Sequence, residues 1–170
     1  FHIAFNVGNG DGAKNPFGEK LQLRQAVEAG LDRNIINQVV FGGEYLVGNQ
    51  PVAPTSKFYD KNFPVPPRDV AKAKQLVTAS GAAQPTLTLN VNNRPTFVQA
   101  ATVIQSLLAE TGIAVNIQPM EAATAIGAAT AGQFQGFLAF WSGRVDPDGN
   151  TFPYLACTGS QNWGKYCNPE

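Results

Sequence analysis

Two arginines and a tryptophan are the residues whose types and places in the chain could do chemistry. Arg94 stands in Asn92-Asn93-Arg94-Pro95, directly after an alternating run. Arg144 stands in Trp141-Ser142-Gly143-Arg144-Val145-Asp146-Pro147-Asp148-Gly149-Asn150, directly after a continuous apolar run. A guanidinium grips a carboxylate through two parallel hydrogen bonds. An indole offers a flat apolar wall to a side chain, a ring or a sugar. In open α/β sheets, ligands bind beyond the carboxyl ends of the strands. If the strands preceding these segments run parallel, both guanidinium groups lie on one rim. Local readings stand beside this one. Arg94 is equally a surface charge, Arg144 a partner for Asp146, and Trp141 the core residue that closes an apolar run. Asp146 and Asp148 suit the start of a helix near Asn150, with Pro147 and Gly149 favouring a turn.

Other chemistries lack their residues. The chain has one histidine, His2, and two cysteines, Cys157 and Cys167. A structural zinc site takes four such ligands. A Ser-His-Asp triad would rest on His2 alone, at a chain start where fraying is expected. Asp146-Pro147-Asp148-Gly149-Asn150 fails as a calcium loop, because its glycine falls at the fourth position and its twelfth residue is Cys157. No metal, cofactor or catalytic residue is therefore expected, and the chain is not read as an enzyme. A close cysteine pair with no histidine neighbour and no CxxC spacing favours a disulfide and an oxidising compartment, against two unrelated buried thiols. Twelve Lys and Arg balance twelve Asp and Glu. A nucleic-acid or membrane-surface partner would call for a basic excess. No stretch reaches the roughly 18 apolar residues of a membrane helix, and no signal peptide is read at Phe1.

The elements that must position these residues are legible as patterns. The 170 residues, 44% of them hydrophobic, suffice for one domain with a real core. Phe1–Val7 reads as a strand, and Gly8-Asn9-Gly10-Asp11-Gly12 as a loop. This loop is not a phosphate-binding fingerprint, because Asn15-Pro16-Phe17 follows where a helix should open. Leu21, Leu23, Ala26, Val27 and Leu31 fall near a helical period. Asp32 caps a second helix that Gly42-Gly43 ends. Five prolines between 44 and 68, with Phe58, Tyr59 and Phe63 among them, describe a long loop laid on a surface. Asp69 caps a helix with Ala71, Ala73, Leu76 and Val77 inward. A strand at Thr86–Asn92, a helix at Thr96–Thr111, a strand around Ile113–Ile117, a helix at Ala122–Ala131 and a doubly buried strand at Gly136–Trp141 follow in turn. That alternation predicts an α/β layer with parallel pairing and right-handed crossovers.

Taken together, the motifs resemble the bacterial extracellular solute-binding proteins of family 5, which include the dipeptide- and oligopeptide-binding proteins of ABC importers. The resemblance runs through Phe5-Asn6-Val7, Asn15-Pro16-Phe17, Leu23-Arg24-Gln25-Ala26-Val27, Leu31-Asp32-Arg33 and Gly42-Gly43. It continues through Asp69…Lys72-Ala73-Lys74…Leu76-Val77…Gly81 and Leu107…Gly112-Ile113…Val115. It ends with Gly132…Phe137…Trp141…Asp146-Pro147-Asp148 and Tyr166…Asn168-Pro169-Glu170. It implies one lobe (residues 1–170, read as an excised piece of a longer two-lobed receptor) of a class II periplasmic-binding-protein-like fold, a mixed sheet flanked by helices. The implied function is the substrate-binding component of an ABC importer, a monomer that closes its lobes on a peptide-like or other small polar or anionic solute and docks on a membrane permease. The alternative is a non-transport interaction or scaffold domain on the same fold. The implied location is the periplasm or the outer face of a membrane. Cys157 and Cys167 fall where some relatives carry a short bridge, which strengthens the disulfide reading.

The implied site is Arg94, Trp141, Ser142, Gly143, Arg144 and Asp146. Arg94 matches the arginine that holds the peptide carboxylate in dipeptide-binding relatives. Trp141-Ser142-Gly143-Arg144 matches a Trp-x-Gly-Asp segment whose Asp pairs with the peptide amino terminus. Arg144 in that place inverts the local charge, and like charges at close range disfavour binding. The inversion implies a solute with an extra anionic or hydrogen-bond-accepting group, unless Asp146 neutralises Arg144.

Overall fold

The computed structural model describes residues 1–168. Four strands, β1 (His2–Phe5), β2 (Thr86–Asn92), β3 (Ala114–Met120) and β4 (Gly136–Ala139), form one sheet in the order β1-β4-β2-β3. β2 pairs parallel with both β3 and β4, while β1 runs antiparallel along β4 with His2 opposite Ala139. The sheet is mixed, and the carboxyl ends of β2, β3 and β4 share one edge. His2 lies at that same edge, inside a strand, where a frayed end was expected.

The core follows from the period of β2. Leu87, Leu89 and Val91 point to one face and are fully buried. They pack under α2 (Leu21–Gly30) and α5 (Pro95–Ala109), whose Leu23, Ala26, Val27, Ala101, Ile104 and Leu108 complete the main cluster. Asn90 and Asn92 point to the other face and are buried as well, because α6 (Ala122–Thr130) and the segment after it cover that side. There Ala125, Ala129, Phe134, Phe137 and Ala139 form a second cluster. Helices thus lie on both faces of the sheet, and every residue of β4 is buried, as its unbroken apolar run predicts.

The helix limits are local chemistry. Asp32 accepts from Asn34 N and Ile35 N to start α3 (Arg33–Phe41), and Gly42, at φ 64°, ends it in the left-handed region that favours glycine. Asp69 accepts from Lys72 N to start α4 (Val70–Ala79). Of the four residues expected to face inward there, Ala73 is buried and Leu76 and Val77 are partly so, but Ala71 is exposed. The loop 44–68 carries no helix or strand and exposes Tyr45, Leu46, Phe58 and Phe63. A short helix unforeseen in the sequence, α1 (Pro16–Glu19), exists because Asn15 Oδ1 accepts from both Phe17 N and Gly18 N while Pro16 takes the first helical position. β4 stops at Ala139, two residues short of expectation, and Phe140 and Trp141 leave the sheet at its carboxyl edge. The last helix, α7 (Asp148–Leu155), follows seven residues after Trp141.

Candidate functional site

An open groove of about 480 Å³ lies at the carboxyl edge of the parallel strands. Phe97 of α5, Ile126 of α6, Phe137 and Phe140 at the end of β4, Trp141 and Trp163 form its walls, and Asn92 and Ser142 reach its rim. Phe97 meets Phe140 edge-on at 5.4 Å, and Phe137 meets Trp163 edge-on at 5.2 Å, so the walls brace each other. Each comes from an element that the fold brings to this edge. β2 delivers Asn92, the helix that follows delivers Phe97, and the buried strand delivers Phe137 to Trp141.

Trp141 is fixed on two sides. Its ring stands perpendicular to Tyr154 of α7 at 5.3 Å, and its Nε1–H donates to Asn150 Oδ1 at 2.9 Å. Tyr154 in turn meets His2 at 5.1 Å and Trp163 at 6.3 Å. Burial pushes the Tyr154 hydroxyl up to about 12, against a smaller pull downward from the Arg144 charge. Desolvation, with a smaller push from the adjoining amino-terminal ammonium, takes His2 down to about 4. Neither His2 Nε2 nor the Tyr154 hydroxyl has a hydrogen-bond partner among the described residues.

The six residues expected to form a site separate into groups. Trp141 and Ser142 line the large groove. Gly143 and Arg144 line a neighbouring cavity of about 230 Å³, shared with Pro51, Val52, Ala53, Thr55 and Ser56 of the long loop. The Arg144 guanidinium lies 4.6 Å over the Trp141 ring, and its Nη1 donates to Ser142 Oγ at 3.3 Å. No ion pair joins Arg144 to Asp146 among the described residues. Asp146 Oδ1 instead accepts from Asp148 N at 3.0 Å, an Asx turn that starts α7. Arg94 lies on the same sheet edge as Arg144, exposed, at the amino end of α5. Its backbone N–H donates to Asn92 Oδ1 at 3.0 Å. It lines neither cavity, and its guanidinium has no partner among the described residues.

Sequence reasoning missed Asn150, Tyr154 and Trp163. Asn150 and Tyr154 are four residues apart on α7 and both turn toward Trp141, so i, i+4 spacing was the available signal. Trp163 lies in a segment without regular structure and left no periodic mark.

The arrangement can hold a flat apolar group against aromatic walls and offer guanidinium donors at the rim. Among the described residues no group of three His, Cys, Asp or Glu gathers. No helix is long and apolar enough to cross a membrane among those residues. The sequence model of the bacterial extracellular solute-binding proteins, family 5 Middle, matches residues 1–164. The chain belongs to family 5 of the bacterial extracellular solute-binding proteins. This family-5 chain is 28% identical over 176 residues to Di/tripeptide-binding protein 1 of Pseudomonas aeruginosa (strain UCBPP-PA14), across 98% of this chain and 32% of that protein. It is 28% identical over 181 residues to Heme-binding protein A of Haemophilus influenzae, across 99% of this chain and 31% of that protein. The family-5 chain thus spans about a third of the length of the curated relatives it matches. Among solved structures, NikA from Staphylococcus aureus in complex with Ni(L-His)2 superimposes with a TM-score of 0.82 at 17% identity, over 98% of this chain and 35% of that one. That likeness establishes the periplasmic-binding-protein fold.

Proposed function

We propose that this chain is the ligand-binding lobe of the substrate-binding component of an ABC importer. The whole protein, a monomer outside the cytoplasmic membrane, takes a peptide-like or other small polar or anionic solute between this lobe and a second one. The closed form is what the permease recognises. The observation that carries the reading is the aromatic groove open at the carboxyl edge of the parallel strands. A groove that one lobe leaves open is a half-site, and closure supplies the other wall. The names of relatives that bind di- and tripeptides support the solute class. The Cys157–Cys167 disulfide supports an oxidising, extracytoplasmic setting. In this reading Trp141 and Ser142 form the wall, Arg94 clamps an anionic group, and Gly143 and Arg144 set selectivity from the rim. Asp146 contributes by shaping the turn that carries them.

The test is native mass spectrometry of the full-length protein purified without denaturation, followed by calorimetry with the solute that travels with it and with a panel of di- and tripeptides. A bound small molecule is expected, displaced by a member of that class. Arg94→Ala is expected to cost about 2–5 kcal/mol of binding, as for a charge pair that loses one partner on closure. Unchanged affinity removes Arg94 from the site. A protein that retains no solute and binds none of the panel overturns the function.

A further inference from the structure

Asn150 is 4% exposed and uses the full hydrogen-bonding capacity of its amide on one loop. Oδ1 accepts from Trp141 Nε1 at 2.9 Å and from Arg144 N at 2.6 Å. Nδ2 donates to the carbonyls of Arg144 at 2.7 Å and Asp146 at 3.2 Å. The indole and the Arg144 backbone therefore hang from the same oxygen. This shared anchor places the guanidinium over the Trp141 face, 4.6 Å from the ring. A guanidinium has five N–H donors, and among the described residues that of Arg144 makes a single long hydrogen bond, to Ser142 Oγ at 3.3 Å.

Among the described residues no carboxylate pairs with that charge. Neither the large groove nor the smaller cavity has an Asp, a Glu or a Lys in its lining. Asp146, the nearest acid along the chain, spends an oxygen on the first turn of α7. Tyr154, against the other side of Trp141, stays a neutral phenol at physiological pH.

The geometry points to a preassembled anion-recognition unit made of Trp141, Arg144 and Asn150. Arg144 receives an anionic or hydrogen-bond-accepting group of the solute other than the one that Arg94 clamps, the apolar body of that solute lies in the groove against Trp141, and Asn150 is the positioning residue that holds ring and cation in one frame. A free ammonium at the same place meets a like charge. The unit therefore selects an acidic or amine-blocked solute over a peptide with a free amino terminus. The ligand part of this inference rests on the groove being the solute site. The electrostatic part is measurable without any solute.

The experiment uses iodide as an anionic probe and acrylamide as a neutral one. Trp141 fluorescence in the full-length protein is isolated as the difference from the Trp141→Phe variant. The ratio of the iodide to the acrylamide quenching constant is expected to fall about twofold or more in Arg144→Ala, since a fixed cation concentrates anions locally. Asn150→Ala is expected to fall as far, and the double variant no further. A merely structural role for Asn150 would raise quenching by both probes and leave the ratio alone. A ratio equal in the protein and Arg144→Ala overturns the unit. If Asn150→Ala does not fold, loss of the elevated iodide ratio on adding sodium chloride to the unmutated protein reads the same charge. In a second arm, calorimetry compares Ala-Ala with N-acetyl-Ala-Ala. Preference for the acetylated peptide, reversed in Arg144→Asp, is expected, and preference for the free peptide overturns the selectivity. Binding of neither peptide, with the quenching ratio as expected, rejects these peptides as the solute and leaves the anion unit standing.

Discussion

Asn6 is fully buried and works as a junction. Its Nδ2 donates to the carbonyls of Asn9, Gly132 and Phe134 at 2.9, 3.0 and 3.1 Å, and its Oδ1 accepts from Asn9 N at 2.8 Å. Asn6→Ala takes the side-chain partner from the buried carbonyls of Gly132 and Phe134 and from the half-buried carbonyl and amide of Asn9. The expected cost is about 3 kcal/mol or more, seen as a lower urea midpoint at unchanged slope. His2 sets a second residue-scale expectation. Its imidazole takes a proton near pH 6.5 in the unfolded chain but only near 4 when folded. The unfolded state therefore holds more protons between those values. The contribution of neutral His2 is complete above 6.5 and is lost as pH falls toward 4. The full swing amounts to about 3 kcal/mol. Unfolding free energies measured from neutral to acidic pH should show this slope, and His2→Phe should flatten it; an equal slope in both would sink the assignment. Neither role was legible locally. Asn6 sits in a recognisable motif, yet two of its partners lie 126 and 128 residues away. A histidine beside a chain start carries no pattern that announces a buried place against Tyr154.

Elements were far more legible than individual roles, for a physical reason. The alternation of Leu87, Leu89 and Val91 and the helical spacing of Phe97, Ala101, Ile104 and Leu108 are imprints of burial on one face. Caps such as Asp32 and Asp69 need only neighbours in sequence. The α1 turn was missed because its stability comes from Asn15 alone, and four residues are too few to show a period. The order of strands was out of reach, since an antiparallel β1 beside β4 is a long-range fact. At this scale the disulfide matters most. It links Cys157 to Cys167 across a separation of 10 residues. Within that loop Asn162 donates to the carbonyls of Ala156 and Tyr166 at 3.1 and 2.7 Å. Trp163, a wall of the groove, is carried on this clip. By the loop-entropy argument, replacing both cysteines by alanine should lower stability by about 2.5–3 kcal/mol. Denaturation with and without reductant checks this, and equal unfolding free energies would show that the bridge constrains nothing the hydrogen bonds do not already hold.

Across the whole molecule, the groove ends at the sheet edge and one side of it faces solvent. Expressed alone, the 170-residue chain should bind the solute at least about a hundredfold more weakly than the full-length protein, the loss of roughly 2.7 kcal/mol of contacts. Calorimetry of the two side by side decides it, and equal affinities would mean that this lobe holds the complete site. The candidate site was partly legible at this scale. The segments after Asn92 and after the buried strand do share an edge, as expected of parallel neighbours. The way Arg144 is held, by an asparagine six residues further on, had no sequence mark of its own.

The pairing of β1 with β4 sets an order of events on the ribosome. His2–Phe5 are made about 130 residues before their sheet neighbour, Gly136–Ala139. Until then β1 has no neighbour in the sheet, and Asn6 lacks the carbonyls of Gly132 and Phe134. Closure of the sheet therefore waits until residue 139 has been made and is a slow, long-range step. A nascent chain interrupted before residue 136 would leave β1 an unpaired, sticky strand, in search of any other edge.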